Sequence, residues 1–311
     1  MKVYHSLDEF ARLAAAVTTT GTFDGVHLGH REIIGRLTGI AKETGGESVI
    51  LTFFPHPRMV LYPDDNDLKQ INTLDEKISL LEKLGVDHLI VHPFTKEFSR
   101  LTATQFVRDI LVNRIGTKRL VVGYNHQFGR NREGAFGQLE ELSSLYGFKT
   151  DLIPEQDIDR VAVSSTRIRE ALLKGDIRTA NKFLGYAFPL SGKVIKGDGI
   201  GHSLGFPTAN IAIPEKYKLV PAEGIYAVNI SVENTLCMGM MYIGKRPVLN
   251  GTLQQYEVNI FDFKRDIYGV PITVLFKEKI RDDIHFTEME DLKKQMEKDK
   301  AAALILLSAQ A

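Results

Sequence analysis

The sequence has a single cysteine, Cys237, and no tryptophan among its 311 residues. One cysteine cannot form a disulfide within the chain or supply the thiolates of a structural zinc site. A fold that needs no disulfides is typical of the reducing cytosol. We therefore expect a cytoplasmic protein.

An excess of either charge is also lacking, because 39 Lys and Arg residues balance 39 Asp and Glu residues. A protein that binds the nucleic-acid backbone needs a basic face, so we do not expect nucleic acid as a partner. Long hydrophobic runs are missing as well. Charges interrupt the N-terminal segment, and residues 301–307 are too few to span a bilayer. We expect a protein that acts on small molecules and has no membrane role, and the sequence indicates no particular protein partner.

The first part of the chain, through about residue 185, alternates short apolar runs with helical patterns. One helix is predicted over residues 28–44, where Ile34, Leu37 and Ile40 share a face and Gly45 ends the pattern. The alternation is typical of a doubly wound, Rossmann-like α/β domain that binds ligands at the carboxyl ends of its strands. The predicted strands are Val17–Phe23, Ser48–Phe54, His88–His92, Lys118–Gly123 and Thr150–Ile153.

From about residue 186 the pattern changes to runs rich in Val, Ile, Phe and Tyr, separated by Gly, Pro, Asn and Asp. A helical pattern returns only at residues 287–306. This favours a small antiparallel β-barrel with one terminal helix. We therefore predict two domains, residues 1–185 and 186–311. The predicted barrel strands are residues 187–196, 224–232, 235–243, 255–263 and 271–280.

The strongest chemical signal is TTGTFDGVHLGHREII, residues 19–34. A strand runs into a glycine-containing turn and a helix opens near His27, which aims backbone N–H groups and the positive helix end at one point. That arrangement suits a phosphate. His27 and His30 lie on the same side of the first helical turn and can donate hydrogen bonds to phosphate oxygens. A helix cap or a metal pair are the alternative interpretations, although no third metal ligand is nearby.

A second signal is GKVIKGDGIGHSLGFPTANI, residues 192–211. It places the oxygens of Thr208 and Asn210 close together, and magnesium prefers oxygen ligands. Ordinary turns are the alternative interpretation of both the glycine cluster and PTAN. In the later run YEVNIFDF, Glu257 alternates with apolar neighbours, so it is either a site carboxylate or a solvated residue of the strand.

Several of these segments resemble known families. GTFDGVHLGH resembles the signature of the HxGH nucleotidyltransferases. Downstream, TFFPHPR, VVGYNHQFGRNREG and SSTRIREALLKGDI resemble, in the same order, motifs of the bacterial FAD synthetases. The glycine-rich arm, LGFPTAN and YEVNIFDF resemble the riboflavin kinase module. The resemblance to bacterial bifunctional riboflavin kinase/FMN adenylyltransferases, also called FAD synthetases, covers essentially the whole chain.

The resemblance implies a fold and two activities. The first domain would be an HxGH nucleotidyltransferase and the second a riboflavin kinase barrel. ATP would phosphorylate riboflavin to FMN, and a second ATP would transfer its adenylyl group to FMN, giving FAD and pyrophosphate. ATP, Mg²⁺, riboflavin, FMN and FAD are the implied substrates, products and cofactors.

The resemblance also implies residue roles in the transferase. His27 and His30 would be catalytic and contact the ATP phosphates, and Asn125 would contact the flavin or a metal. For Ser165 and Thr166 plain helix capping is the alternative, and for Phe54 and Phe128 a place in the core. The implied ATP-binding set is Gly21, Phe23, Asp24, Gly25, His27, His30, Ser165, Thr166 and Arg169, and the implied flavin-binding set is Asn125, Phe54 and Phe128.

In the kinase, Glu257 would be the general base for the riboflavin hydroxyl, and Thr208 and Asn210 would hold the metal. This chain departs from the family pattern at Tyr242, His202 and Asn259, where Asn, Arg and His are usual. The implied ATP- and flavin-binding set of the kinase is Lys196, Gly197, Gly201, Gly205, Pro207, Thr208 and Asn210.

Three other interpretations compete with this one. The chain could be another HxGH adenylyl- or cytidylyltransferase with an unrelated barrel. A class I aminoacyl-tRNA synthetase is disfavoured because no KMSKS-like segment is present. A non-catalytic flavin sensor is disfavoured because the candidate catalytic residues are all retained.

Overall fold

A six-stranded parallel sheet organises the first half of the chain, with the strand order β1-β4-β3-β2-β5-β6. Since β3 and β4 lie on one side of β2 while β5 and β6 lie on the other, the direction of winding reverses between β2 and β5. The predicted doubly wound sheet is confirmed, and this reversal is where such sheets bind ligands. The strands are β1 Lys2–Tyr4, β2 Ala16–Thr20, β3 Glu47–Phe54, β4 His88–Pro93, β5 Thr117–Gly123 and β6 Lys149–Ile153.

Helices cover both faces of this sheet, as continuous apolar strands require. On one face, Ile34 and Leu37 of α1 pack on Ile50 of β3. On the other, Phe106 and Leu111 pack on Leu51. The helices are α1 Leu28–Thr44, α2 Pro57–Leu61, α3 Leu74–Lys83, α4 Ala103–Gln105 continued by π-helical Phe106–Ile115, and α5 Phe136–Tyr146.

The computed structural model describes residues 1–64, 68–123, 129, 136–153, 163–197, 201, 205–233, 235–248 and 251–308. The chain divides into two compact units, Met1–Ser164 and Ser165–Ala311. The second unit opens with helices α6 Ser165–Leu173 and α7 Ile177–Leu184. Asn181 of α7 donates to the Phe276 carbonyl at 2.8 Å and accepts from Phe188 N at 2.8 Å, so α7 is fastened to the strands that follow it.

Six antiparallel strands of the second unit close into a barrel with the order β10-β11-β8-β7-β12-β9. The terminal helix α8, Met289–Ser308, packs Ala303 and Leu307 against the barrel residues Met240 and Phe261. The predicted barrel and terminal helix are confirmed. The strands are β7 Pro189–Ile195, β8 Ala209–Ala212, β9 Gly224–Val232, β10 Thr235–Val248, β11 Gly251–Ile260 and β12 Pro271–Arg281.

The structure corrects two predicted segments. The strand predicted through Phe23 ends at Thr20, because Phe23 has a φ of 46°, in the left-handed region that a strand cannot accommodate. Residues 209–212 form a strand of the barrel that the sequence pattern did not predict. A four-residue strand directly after a Pro-Thr turn is too short to show a two-residue alternation.

Candidate active sites

The turn Gly21–Val26 joins β2 to α1 at the carboxyl edge of the sheet. It contains two non-glycine residues in the left-handed region, Phe23 with a φ of 46° and Val26 with a φ of 36°. Such a conformation costs about 1–3 kcal/mol per residue and persists only where neighbouring contacts hold it. At Gly21 a Cβ would stand 3.1 Å from the Phe23 ring, so glycine lets that ring fold back over the turn.

His27 and His30 stand together at the start of α1. Their rings are stacked with centroids 3.6 Å apart. His27 caps the helix, since its Nδ1 accepts a hydrogen bond from His30 N at 3.3 Å. The helix-cap interpretation is therefore correct, and this cap uses only one of the two ring nitrogens of His27.

The second ring of the pair is neutral. Burial, then the neighbouring charges of His27 and Lys77, hold the pKa of His30 well below its ordinary value. Within the part of the chain that the structure describes, the buried His30 Nδ1 has no hydrogen-bond partner. An unsatisfied buried nitrogen beside a strained turn is typical of a binding site, because a polar ligand atom would satisfy it.

Asp24, predicted to contact ATP, turns its carboxylate into the protein. Oδ1 accepts from Ile71 N at 2.9 Å, and the residue is almost fully buried. This contact ties the turn to residues 70–77, a buried polar segment that the motif analysis missed. Its last member, Lys77, donates from Nζ to the Thr22 carbonyl at 2.8 Å. One feature of the sequence could have predicted that Lys77 is buried, because it lies between Leu74 and Leu81 on the apolar face of α3.

In the barrel, Thr208 and Glu257 meet directly. Thr208 Oγ1 donates to Glu257 Oε2 at 3.2 Å, although 49 positions separate them in sequence. Glu257 is also the register partner of Asn210 on β8, which brings the side chains of neighbouring strands to one face. Glu257 is half-buried. The three oxygen-bearing residues that the sequence singled out therefore lie together.

Two glycines of the preceding arm leave room for these side chains. A Cβ at Gly197 would lie 1.9 Å from Asn210 Nδ2, and one at Gly201 would lie 2.4 Å from the Phe206 carbonyl oxygen. The Gly201 carbonyl accepts from Phe206 N at 2.8 Å, directly before PTAN. Only glycine at these two positions lets the Asn210 side chain and the Phe206 carbonyl come so close to the backbone of the arm.

If the barrel phosphorylates riboflavin, as the resemblance implies, Gly197→Ala is expected to lower that activity by about 10²-fold, the cost of misplacing a positioning group by ~1 Å. The new methyl group would displace the Asn210 amide, which is the end of a side chain, so the fold should survive. Steady-state kinetics with riboflavin and ATP measure the loss. Gly35→Ala is the matched control, since a Cβ at exposed Gly35 meets nothing within 4 Å. Equal kinetics for the two variants would contradict the proposed crowding.

The departures from the family pattern have different surroundings. Buried Asn259 donates from Nδ2 to the Pro207 carbonyl at 2.7 Å and so fixes the PTAN segment to β11. Tyr242 is the cross-strand partner of Glu257 and donates to Asp283 at 3.1 Å. Burial, then Asp283, raise the pKa of the Tyr242 hydroxyl, which stays protonated. His202 lies outside the described residues.

The remaining predicted site residues are outside the described part of the chain, partly buried in the core, or exposed. Asn125 and Phe128 fall outside the described residues. Phe54 is partly buried and packs on the core between the sheet and α1, so the core interpretation applies to it at least in part. Exposed Lys196, Gly205 and Pro207 border the barrel site in sequence.

Ser165, Thr166 and Arg169 lie in α6, which opens the second compact unit. Thr166 is exposed and the other two side chains are half-buried. The same helix buries Ile168 and Leu172, as predicted for core residues. The ATP contacts assigned to the first three residues stay a prediction.

Clusters of three or more His, Cys, Asp or Glu side chains that could hold a metal ion are absent from the residues that the structure describes. A search of the same residues finds no helix with the length and apolar character needed to cross a membrane. An oxygen-ligand site such as Thr208 and Asn210 is of a different kind and is not covered by the first finding.

Fold and contacts together define a class: an α/β nucleotidyltransferase unit followed by a barrel unit with an oxygen-lined site. Residues 10–167 match the FAD synthetase family, and residues 184–307 match the riboflavin kinase family. The chain belongs to the family of bifunctional riboflavin kinase/FMN adenylyltransferases. The predictions of family, fold class and enzyme class are thereby confirmed.

Relatives of the same kind cover nearly the full chain. The bifunctional riboflavin kinase/FMN adenylyltransferase of Haemophilus influenzae is 37% identical over 292 residues, 94% of each chain. That of Escherichia coli K12 is 35% identical over 302 residues, 96% of this chain and 95% of its own. A crystal structure described as a macrolide-efflux protein from Streptococcus pneumoniae superimposes with a TM-score of 0.87 at 29% identity, covering 97% of this chain and 98% of its own.

Proposed function

We propose that this chain makes FAD in two steps, and that the His27/His30 pair carries the second. There the FMN phosphate attacks the α-phosphorus of ATP, the new P–O bond forms, and pyrophosphate leaves. The protein forms no covalent bond in such a reaction, so positioning and charge stabilisation account for the rate. The stacked rings at the helix start, together with the buried His30 Nδ1 that lacks a partner among the described residues, support this role.

The first step is assigned to the barrel. Glu257 accepts the proton of the riboflavin 5′-hydroxyl while that oxygen attacks the γ-phosphorus of ATP and ADP leaves. The observation that carries this assignment is the 3.2 Å contact between Thr208 Oγ1 and Glu257 Oε2, which puts a carboxylate beside the predicted phosphate-binding segment.

The same residues fit a magnesium ion. Thr208 Oγ1 and the Asn210 side-chain oxygen are hard donors two positions apart in sequence, and Glu257 adds negative charge beside them. Thr208 and Asn210 would hold the ion. When bound, Mg²⁺ neutralises charge on the ATP phosphates. We also place the reactions in the cytoplasm, with small molecules rather than nucleic acid as partners, because both steps consume ATP and the formal net charge is zero.

One incubation tests the whole proposal. The purified chain is mixed with riboflavin, ATP and magnesium, and the flavins are resolved by chromatography. FMN should appear first and FAD should follow. FAD formed only from added FMN would leave a transferase with an inactive barrel, and the absence of both products would overturn the proposed function.

The boundary between the two catalytic domains is a further proposal. Residues 186–311 should contain the complete kinase, with α6 and α7 adding stability rather than chemistry. Both fragments 186–311 and 165–311 should phosphorylate riboflavin, but the shorter one should melt earlier. It loses the two Asn181 hydrogen bonds, at about 0.5–1.5 kcal/mol each, and the buried Ile177 and Leu184. Thermal melts and kinase assays check this, and a folded 165–311 that binds neither flavin nor ATP would contradict it.

A further inference from the structure

Lys77 is a buried lysine that the reaction described above does not use. It is 2% exposed on α3, whereas lysine is almost never fully buried without a partner. The start of α3 fixes its position, because Thr73 and Glu76 form a reciprocal capping box with contacts of 2.9 and 3.1 Å. That box holds the first turn of α3, and with it the backbone position of Lys77.

The ammonium group faces the turn Gly21–Val26. Nζ donates to the Thr22 carbonyl at 2.8 Å. Burial lowers the pKa of Lys77, and the negative charge of Asp24 acts in the opposite direction and favours the ammonium form. Asp24 in turn accepts from Ile71 N at 2.9 Å. Two hydrogen bonds from residues 70–77 therefore hold the turn, one at Thr22 and one at Asp24, the residues on either side of Phe23.

The backbone conformation of this turn is strained and depends on such contacts. Phe23 and Val26 both hold positive φ values, 46° and 36°, which neither residue type adopts readily. The Phe23 ring also lies edge-on to the His30 ring, with centroids 5.2 Å apart. If the turn relaxed toward ordinary φ values, the Phe23 ring would move. The His30 ring would then lose its contact with Phe23.

We propose that Lys77 is a positioning residue for adenylyl transfer, which holds the turn Gly21–Val26 and thereby the two histidines through its hydrogen bond to the Thr22 carbonyl and its electrostatic attraction to Asp24. The inference rests on the proposed function. It adds a residue that lies 50 positions after His27 and outside every motif that the sequence analysis identified.

The charge of Lys77 has a second consequence, at His30. Two charged neighbours act on His30, His27 at the start of α1 and Lys77 on α3, and Asp24 in the turn acts on Lys77. After burial and His27, Lys77 is a cause of the lowered pKa of His30. Removing the lysine charge should therefore raise the pKa of His30, and protonation should begin at higher pH than in the wild type.

The test compares Lys77→Met with the wild type in the full-length chain. Lys77→Met keeps the length of the side chain but loses the donor and the charge. Its kcat for FAD formation from FMN should fall by about 10²-fold, the cost of a small misplacement of catalytic groups. Riboflavin phosphorylation on the other unit should be unchanged. In the folded, ligand-free protein, the NMR titration midpoint of His30 should move to higher pH.

Lys83→Met is the matched control, because Lys83 is an exposed lysine of the same helix. It should leave kcat and the His30 midpoint at wild-type values. A folded Lys77→Met protein with wild-type kcat and midpoint overturns the inference. Should that variant fail to fold, Lys77→Gln, which retains an N–H donor without the charge, is expected to raise the midpoint, and an unmoved midpoint would equally overturn it.

The wild-type assay separates this inference from the proposed function. If the wild type makes no FAD from FMN, the proposed function fails, and the role of Lys77 in adenylyl transfer fails with it. If the wild type makes FAD and Lys77→Met does so equally well, only the inference about Lys77 fails.

Discussion

His30→Ala is expected to lower FAD formation from FMN by about 10²–10³-fold, which corresponds to roughly 2–4 kcal/mol of transition-state stabilisation by one preorganised donor. The neutral ring contributes as a hydrogen-bond donor rather than as a fixed cation, because its pKa is held well below the ordinary value by burial, His27 and Lys77. FMN formation from riboflavin should continue unchanged, because that reaction belongs to the barrel.

Two features make the His30 experiment specific. Both products are measured in the same incubation, so a loss of the whole protein would lower both, and a thermal melt of the variant shows whether the first unit is folded. His5→Ala removes an exposed histidine of the same unit and should leave both rates unchanged. Wild-type FAD formation by His30→Ala would contradict the assignment of the histidine pair to the transferred phosphate.

Glu257→Gln is expected to lower riboflavin phosphorylation by about 10²–10⁴-fold, the usual cost of losing a general base. Glutamine has nearly the same shape and can still accept the Thr208 hydroxyl, so the 3.2 Å contact and the packing of β11 should survive. The amide cannot take up the proton of the attacking hydroxyl. Binding of riboflavin should therefore change little, while kcat falls.

The control for this variant is Glu233→Gln in the same barrel. Glu233 is exposed and pairs with exposed Arg265 at 3.0 Å, and such surface pairs contribute little to stability. The Glu233→Gln variant should phosphorylate riboflavin at the wild-type rate. FMN supplied directly should still become FAD in both variants. Equal kinase rates for Glu257→Gln and wild type would show that Glu257 is only a solvated residue of its strand.

Local signals explain what could be predicted of the fold. Helix α1 was predicted over the residues it occupies, because Gly45, with a φ of 64°, ends it and its apolar face is regular. By contrast, α7 was missed although Asp176 caps it and it buries Ile177, Ala180 and Leu184. Eight residues following a Gly-Asp turn are few enough to be taken for a loop.

The candidate sites divide in the same way. The histidine pair could be found because both rings lie within one helical turn, and the grouping of Thr208 with Asn210 because they are two positions apart. Asp24 shows what this reasoning leaves out. Its place in the motif predicts an ATP contact, which stays a prediction, and only the structure shows that its carboxylate accepts from Ile71 N, 47 positions away.

The sequence by itself determined the order of the two units, the family and the chemical type of the residues at each site, because these depend on patterns over a few adjacent positions. Only the tertiary structure decided that Glu257 meets Thr208 and that Lys77 supports the turn before the histidines. The reason is that the pairing of distant strands and the burial of the Lys77 side chain depend on how helices and strands pack on one another. An exposed lysine and a buried one have the same letter in the sequence, and the neighbours that distinguish them come from other segments of the chain.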